Sequence, residues 1–151
     1  MTLDSKTTLQ LSGKKISKTE RNFIAAWIWV KENYPELYKL PSKITANVSG
    51  AAIRASYNEK ENRIWVNMKE NSIYKTPCLF ASSLVHELTH AHQVLVQKRT
   101  RIPFYKTKKD YENDPMEIDS RKAGEKTWNE WQRKPLLWEN INPEQMKGFK
   151  L

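Results

Sequence analysis

The sequence predicts a single α+β domain, and three features carry that expectation. A capped helix signature opens at Ser17, three short strand patterns follow between Lys43 and Met68, and two further helix starts stand at Thr76-Pro77 and Asp114-Pro115. The chain of 151 residues is enough for one compact domain with a hydrophobic core, and not comfortably for two. Its 38% hydrophobic and 28% charged residues are those of an ordinary globular protein. With 4 glycines and 7 prolines it is neither low-complexity nor loop-dominated. Its 6 tryptophans suit a small core filled by a few large side chains.

Residues 1–16 show no clear periodicity and are expected to form an N-terminal arm, leaving 17–151 as the domain. Ser17-Lys18-Thr19-Glu20 fits a capping box, with Ser17 capping and Glu20 reaching back. Phe23, Ile24, Trp27, Ile28 and Val30 then form a broad apolar stripe at helical spacing, and Pro35 ends the helix near Asn33–Tyr34. Lys43–Val48, Ala52–Tyr57 and Arg63–Met68 read as strands, the last two joined by a polar loop through Asn58–Asn62. Together they predict a small, mainly antiparallel sheet.

Thr76 as N-cap and Pro77 at the first helical position open a helix expected to reach Val96 or Gln97. Its apolar stripe is Phe80, Leu84, Leu88, Ala91 and Leu95. A basic connection containing Pro103 leads to a last helix from Pro115 to about Gln132. The tail, with Trp138 and two prolines, is expected to pack back over the domain.

Cys78 is the sole cysteine, which excludes an intrachain disulfide and any cysteine-based metal cluster and suits a reducing compartment. The start Met1–Lys6 is polar, without an apolar signal core, and the longest apolar run, Phe23 to Val30, is too short to span a bilayer. A cytoplasmic location is the resulting expectation. The net charge is +9, from 26 basic against 17 acidic residues. Lys98, Arg99, Arg101, Lys106, Lys108 and Lys109 share one stretch without an acidic residue before Asp110. Such a balance favours acidic partners, with nucleic acid the first class to consider, or else a generally basic soluble surface.

All 3 histidines fall at positions 86, 90 and 92. His86 and His90 are four apart, one turn on the same helical face, so both imidazoles can reach one metal ion. Glu87 projects beside that face and can reach water there without ligating. His86-Glu87-Leu88-Thr89-His90 thus holds two zinc ligands and a general base. His92 points to the other side of the helix and reads as structural. A catalytic zinc site needs a third protein ligand, and with no histidine left it must be a carboxylate. Glu117 is favoured, one turn into the last helix, and Asp119 is second, while Glu112 and Asp114 precede the helix. Glu117 could instead complete a capping box with Asp114.

The pair of segments His86-Glu87-Leu88-Thr89-His90 and Asp114-Pro115-Met116-Glu117-Ile118-Asp119-Ser120 resembles the gluzincin side of the zincin metallopeptidases. The nearest likeness is to compact ImmA/IrrE-like peptidases and phage-type minimal zincin domains, which pair H-E-L-x-H with a later helix opening P-x-E-x-E/D-A. The resemblance implies a zincin-like fold in which an N-terminal helix and small sheet precede the active-site helix and a ligand-bearing helix. It also implies Glu117 as third ligand. Ser120 stands where these proteins carry a small alanine. Arg121 stands where an acidic or amide residue often supports a ligand histidine, which leaves the partner supporting His86 or His90 unidentified.

The expected activity is zinc-dependent peptide hydrolysis, with Zn2+ held by His86, His90 and Glu117, and Glu87 moving the proton. Tyr111 and Tyr105 are candidate oxyanion donors by position. A protein or peptide substrate would lie along a sheet edge, for which Arg63–Met68 is the candidate. Another class of function is a nucleic-acid-associated protein with a structural or inactive zinc site, using the Lys98–Lys109 stretch; a protease acting on DNA-bound proteins combines both. A zinc amidase acting on cell-wall peptide would use the same chemistry, and the polar N-terminus counts against it.

Overall fold

The computed structural model describes residues 8–11, 17–47, 54–68, 76–146 and 149–150. In chain order the elements are β1 (Thr8–Leu11), α1 (Lys18–Asn33), α2 (Pro35–Tyr38), β2 (Lys43–Asn47), β3 (Ala55–Asn58), β4 (Arg63–Asn67), α3 (Pro77–Leu95), α4 (Lys108–Asn113), α5 (Pro115–Arg133) and β5 (Phe149–Lys150). Two 3-10 turns, Trp138–Asn140 and Pro143–Met146, lie in the tail. The architecture is α+β, with one mixed sheet and a layer of packed helices.

The sheet has the order β3-β4-β2-β1-β5 and is mainly parallel, which corrects the expected antiparallel arrangement. β1 runs parallel to β2 and β5, β2 runs parallel to β4, and only β3 and β4 are antiparallel. The reason is the crossover: parallel neighbours need a long connection, and α1, with 16 residues, supplies it between β1 and β2. Thr8–Leu11, inside the stretch expected to be an arm, is therefore a strand of the sheet. The hairpin through Asn58–Asn62 does form; its tightest residue, Asn62, has φ of 49°. That left-handed turn suits asparagine. The Asn62 side chain secures it, accepting from the Tyr57 hydroxyl at 2.8 Å and donating to the Leu40 carbonyl at 3.0 Å. The expected strand ends at Val48 and at residues 52–53 lie outside the described residues.

α1 begins as expected, with both bonds of the Ser17/Glu20 capping box made at 3.1 Å. Every residue from Phe23 to Val30 is buried, so the apolar run is covered on all sides rather than along one stripe. β2 and β4 press Ile44, Ala46, Ile64 and Val66 onto the helices, while the intervening residues are less buried. α3 runs through the middle of the helical layer, against α1 on one side and α5 on the other. The tail packs back as expected: Leu136, Trp138, Ile141 and Met146 lean on the core, and Arg21 stacks over the Trp138 ring at 5.7 Å. Among the described residues, no helix is long and apolar enough to cross a membrane.

Candidate metal centre

Two helices build the site. α3 starts where the sequence places it, with Thr76 accepting the Leu79 N–H at 3.2 Å and Pro77 in the first turn. Its stripe of Phe80, Leu84, Leu88 and Ala91 is buried in the core, which turns His86 and His90 toward α5. α5 is capped by Asp114, whose Oδ1 accepts the Met116 N–H at 3.0 Å. The helices come close at Gly124. A Cβ there would stand 3.0 Å from Ser82 Oγ and 3.3 Å from the Ser82 carbonyl, and Ser82 Oγ donates to the Gly124 carbonyl at 2.9 Å. Glu117 lies seven residues earlier on α5, two helical turns along, and that close approach carries it over the histidine pair.

The result is a cluster in which His86, His90 and Glu117 each offer a ligand atom, all within 4.8 Å of one another. His86 Nε2 is 3.3 Å from Glu117 Oε2, and His90 Nε2 is 3.0 Å from Glu117 Oε1. His90 and Glu117 are buried, whereas His86 is partly exposed at the opening. Glu117 does not close a capping box: its carboxylate faces the histidines, and the Asp114 N–H goes to the Tyr111 carbonyl. Burial alone would raise the Glu117 pKa, but hydrogen bonds and charge from His86 and His90 outweigh it and hold the carboxyl well below the usual range. Asp119, the second candidate, is exposed and pairs with Arg99 Nη1 at 2.9 Å. Glu112 and Asp114 also lie outside the cluster, as does His92.

His86, His90 and Glu117 form a candidate metal-binding group whose donor types suit zinc. Tetrahedral coordination at about 2.0–2.1 Å puts neighbouring ligand atoms about 3.3 Å apart. The histidine contacts of 3.3 and 3.0 Å run to different Glu117 oxygens and the three ligand atoms lie within 4.8 Å of one another, so an ion would draw them together. The two imidazoles and one carboxylate are a donor set that zinc accepts in catalytic sites, with one position left open. Glu117 Oε2 is buried, and its contact with His86 Nε2 at 3.3 Å is not aligned as a full hydrogen bond.

Sequence reasoning missed the support of His90. Its Nδ1 lies 2.9 Å from Gln93 Oε1 and 3.3 Å from Ser120 Oγ. Gln93 is three residues past His90, and Ser120 three past Glu117, so helical spacing could have pointed to both.

Glu87 sits beside the cluster, buried, and burial pushes its carboxyl up to about 7 against the lowering effect of the His86 and Arg101 charges. It also takes a backbone hydrogen bond from Tyr57 of β3. Burial first, then the Glu117 charge, a hydrogen bond from the Tyr111 hydroxyl to Glu117 and the Glu87 charge push the Tyr111 phenol up to about 12. The hydroxyl thus stays a donor at neutral pH. Tyr105 packs edge-on against Tyr111 at 5.2 Å, and its hydroxyl is already donated to Asp114 Oδ2 at 2.5 Å. Of the two tyrosines, Tyr111 is the one facing the site.

Arg63–Met68 cannot serve as a substrate edge, because β4 is paired on both sides. Among the described residues the edge next to α3 is β3. The basic connection reaches this edge: Arg101 Nη1 donates to the Tyr57 carbonyl at 2.8 Å. Apart from half-buried Arg99 and Tyr105 the rest of the stretch is exposed, with Lys108 near Glu112 at 3.7 Å and Phe104 72% accessible. Nothing in the chain pattern foretold Arg101, since its partner lies 44 residues away. Comparison with protein-family models, with curated proteins and with solved structures finds no match to this chain.

Proposed function

We propose that this chain is a zinc-dependent hydrolase, and that its substrate is a peptide bond. The observation that supports this reading is the meeting of His86, His90 and Glu117 from two helices, with the Glu87 carboxyl buried beside them. Zinc held by these three side chains would supply a Lewis acid that polarises a carbonyl and acidifies water. Glu87 takes the proton of the attacking water on its carboxylate and hands it to the leaving amine. The Tyr111 hydroxyl donates to the carbonyl oxygen as charge develops there. The outer edge of β3, once Arg101 leaves the Tyr57 carbonyl, aligns an extended chain by main-chain hydrogen bonds.

Metal analysis of the purified protein tests the reading: about one zinc per chain is expected, lost in His86→Ala. Glu87→Gln should keep the zinc and lose about 10²–10⁴-fold in hydrolysis. Folded protein that takes up no zinc would end the proposal. A second reading, binding of nucleic acid, draws on the exposed Lys106, Lys108 and Lys109 around Phe104. It requires binding that weakens steeply with salt.

A further inference from the structure

The register of β3 on β4 decides which of its backbone groups face outward. The Asn67 N–H donates to the Arg54 carbonyl at 2.8 Å, which makes that a hydrogen-bonded pair. Antiparallel alternation then turns Ser56 and Asn58 toward β4 and leaves Ala55 and Tyr57 facing off the edge. Both outward groups of Tyr57 are taken. Its N–H serves Glu87, and its carbonyl accepts from Arg101 Nη1 at 2.8 Å, with the guanidinium 5.9 Å from the centre of the Tyr57 ring.

An extended peptide laid along this edge needs the Tyr57 carbonyl for its own N–H, so it must displace Arg101. The displaced guanidinium, half-buried where it lies, needs another acceptor. A neutral peptide can offer only another carbonyl. A carboxylate offers two parallel, charge-assisted bonds, roughly twice as strong as neutral ones. After that exchange every group is satisfied again: the carbonyl by the peptide, the guanidinium by the carboxylate. Neighbouring charge favours the same approach. Arg99 is matched by Asp119 and Lys108 by Glu112, while Lys98 and Lys106 have no acidic partner among the described residues.

We propose that Arg101 is a specificity residue selecting substrates that carry a carboxylate beside the segment paired with β3. This rests on the peptidase reading above. The carboxylate is either an aspartate or glutamate side chain or a chain terminus, and the test separates the two.

The test measures binding of fluorescent decapeptides to zinc-loaded Glu87→Gln protein. One peptide has glutamate at alternate positions and an amidated end, one has glutamine there and an amidated end, and one has glutamine and a free carboxyl end. The expected result is that a carboxylate peptide binds about tenfold or more tightly than the neutral one, with the better of the two naming the source. Arg101→Gln in the same background should collapse that ratio toward one. Arg101→Glu should reverse it in favour of a lysine-bearing peptide. Arg101→Lys, which keeps the charge but not the planar fork, should retain part of it. Lys106→Gln with Lys109→Gln should leave it unchanged. No preference, or a preference that survives Arg101→Gln or vanishes with the two lysines, overturns the proposal. Wild-type protein that binds with this preference yet cleaves nothing would remove the peptidase reading and leave Arg101 its role. Cleavage without preference would do the opposite.

Discussion

Gln93 joins the two ligand-bearing helices: its Oε1 lies 2.9 Å from His90 Nδ1, and its Nε2 donates at 2.9 Å to the carbonyl of Met116, next to Glu117. A carbonyl can only accept, so the amide orientation is set. The Gln93 oxygen must then face His90, and Nδ1 must carry the proton. His90 Nε2 is left to aim at Glu117 Oε1 from 3.0 Å, a pair that needs a proton or a cation between its members. Gln93 thereby selects the tautomer a metal requires. Gln93→Leu should weaken zinc binding by about 10–100-fold, measured by competition with a chromophoric chelator. Unchanged affinity would show that Gln93 merely fills space.

Gly124 sets how closely α5 approaches α3. A Cβ at this position meets the Ser82 side chain at 3.0 Å and, less yieldingly, the Ser82 backbone oxygen at 3.3 Å, with His86 Cβ 3.9 Å away. Gly124→Val should cost about 1–3 kcal/mol of stability through overpacking. Because the strain falls between His86 and Glu117, zinc affinity should fall as well. Urea unfolding of metal-free protein and chelator competition of the loaded protein give the two numbers. A variant that loses stability but binds zinc normally would show that α5 adjusts without moving Glu117.

Glu87 makes the metal-free fold sensitive to pH. Its folded pKa, about 7, lies above the ordinary glutamate value of 4.5 because burial disfavours the charged form. A carboxyl raised in this way stabilises the fold fully below its unfolded value and loses that contribution as pH rises through 7. Glu117 has the opposite sign, and its contribution fades only in acid below the usual carboxylate range. Glu87→Gln removes the ionisation, so metal-free Glu87→Gln should gain on the wild type between pH 5 and pH 8. The difference should reach on the order of 3 kcal/mol. Urea unfolding at both pH values checks this, and parallel curves would place Glu87 in contact with water.

The helices were legible because their signals are local. Ser17 and Glu20, Thr76 with Pro77, and Asp114 with Pro115 each mark a start that the structure contains. His86, Glu87 and His90 were legible because one turn of helix fixes their spacing. The sheet was misread because parallel pairing is a property of the crossover, not of the strands: Ile44 and Ile64 look alike in either direction. Short α4 went unseen inside the basic stretch, where Thr107, accepting the Asp110 N–H at 3.1 Å, was its only marker. Gly124 and Arg101 act through close approach and through a distant backbone carbonyl, and neither leaves a local pattern.

The two tyrosines provide the sharpest separation of chemistry from structure. Tyr105 and Tyr111 pack ring to edge, but the Tyr105 hydroxyl is committed to Asp114, which also caps α5. Tyr105→Phe should therefore cost about 1 kcal/mol of stability, with turnover little altered. The Tyr111 hydroxyl is hydrogen-bonded to Glu117 and lies near Glu87, so it sits at the cluster and can turn its proton to a substrate carbonyl. Tyr111→Phe keeps the ring and its packing. If this hydroxyl stabilises developing oxyanion charge, kcat should fall by about 10²–10³-fold, with KM and zinc content little changed. Loss of KM rather than kcat would instead make Tyr111 a binding group. Equal activity in wild type and Tyr111→Phe would remove it from the reaction.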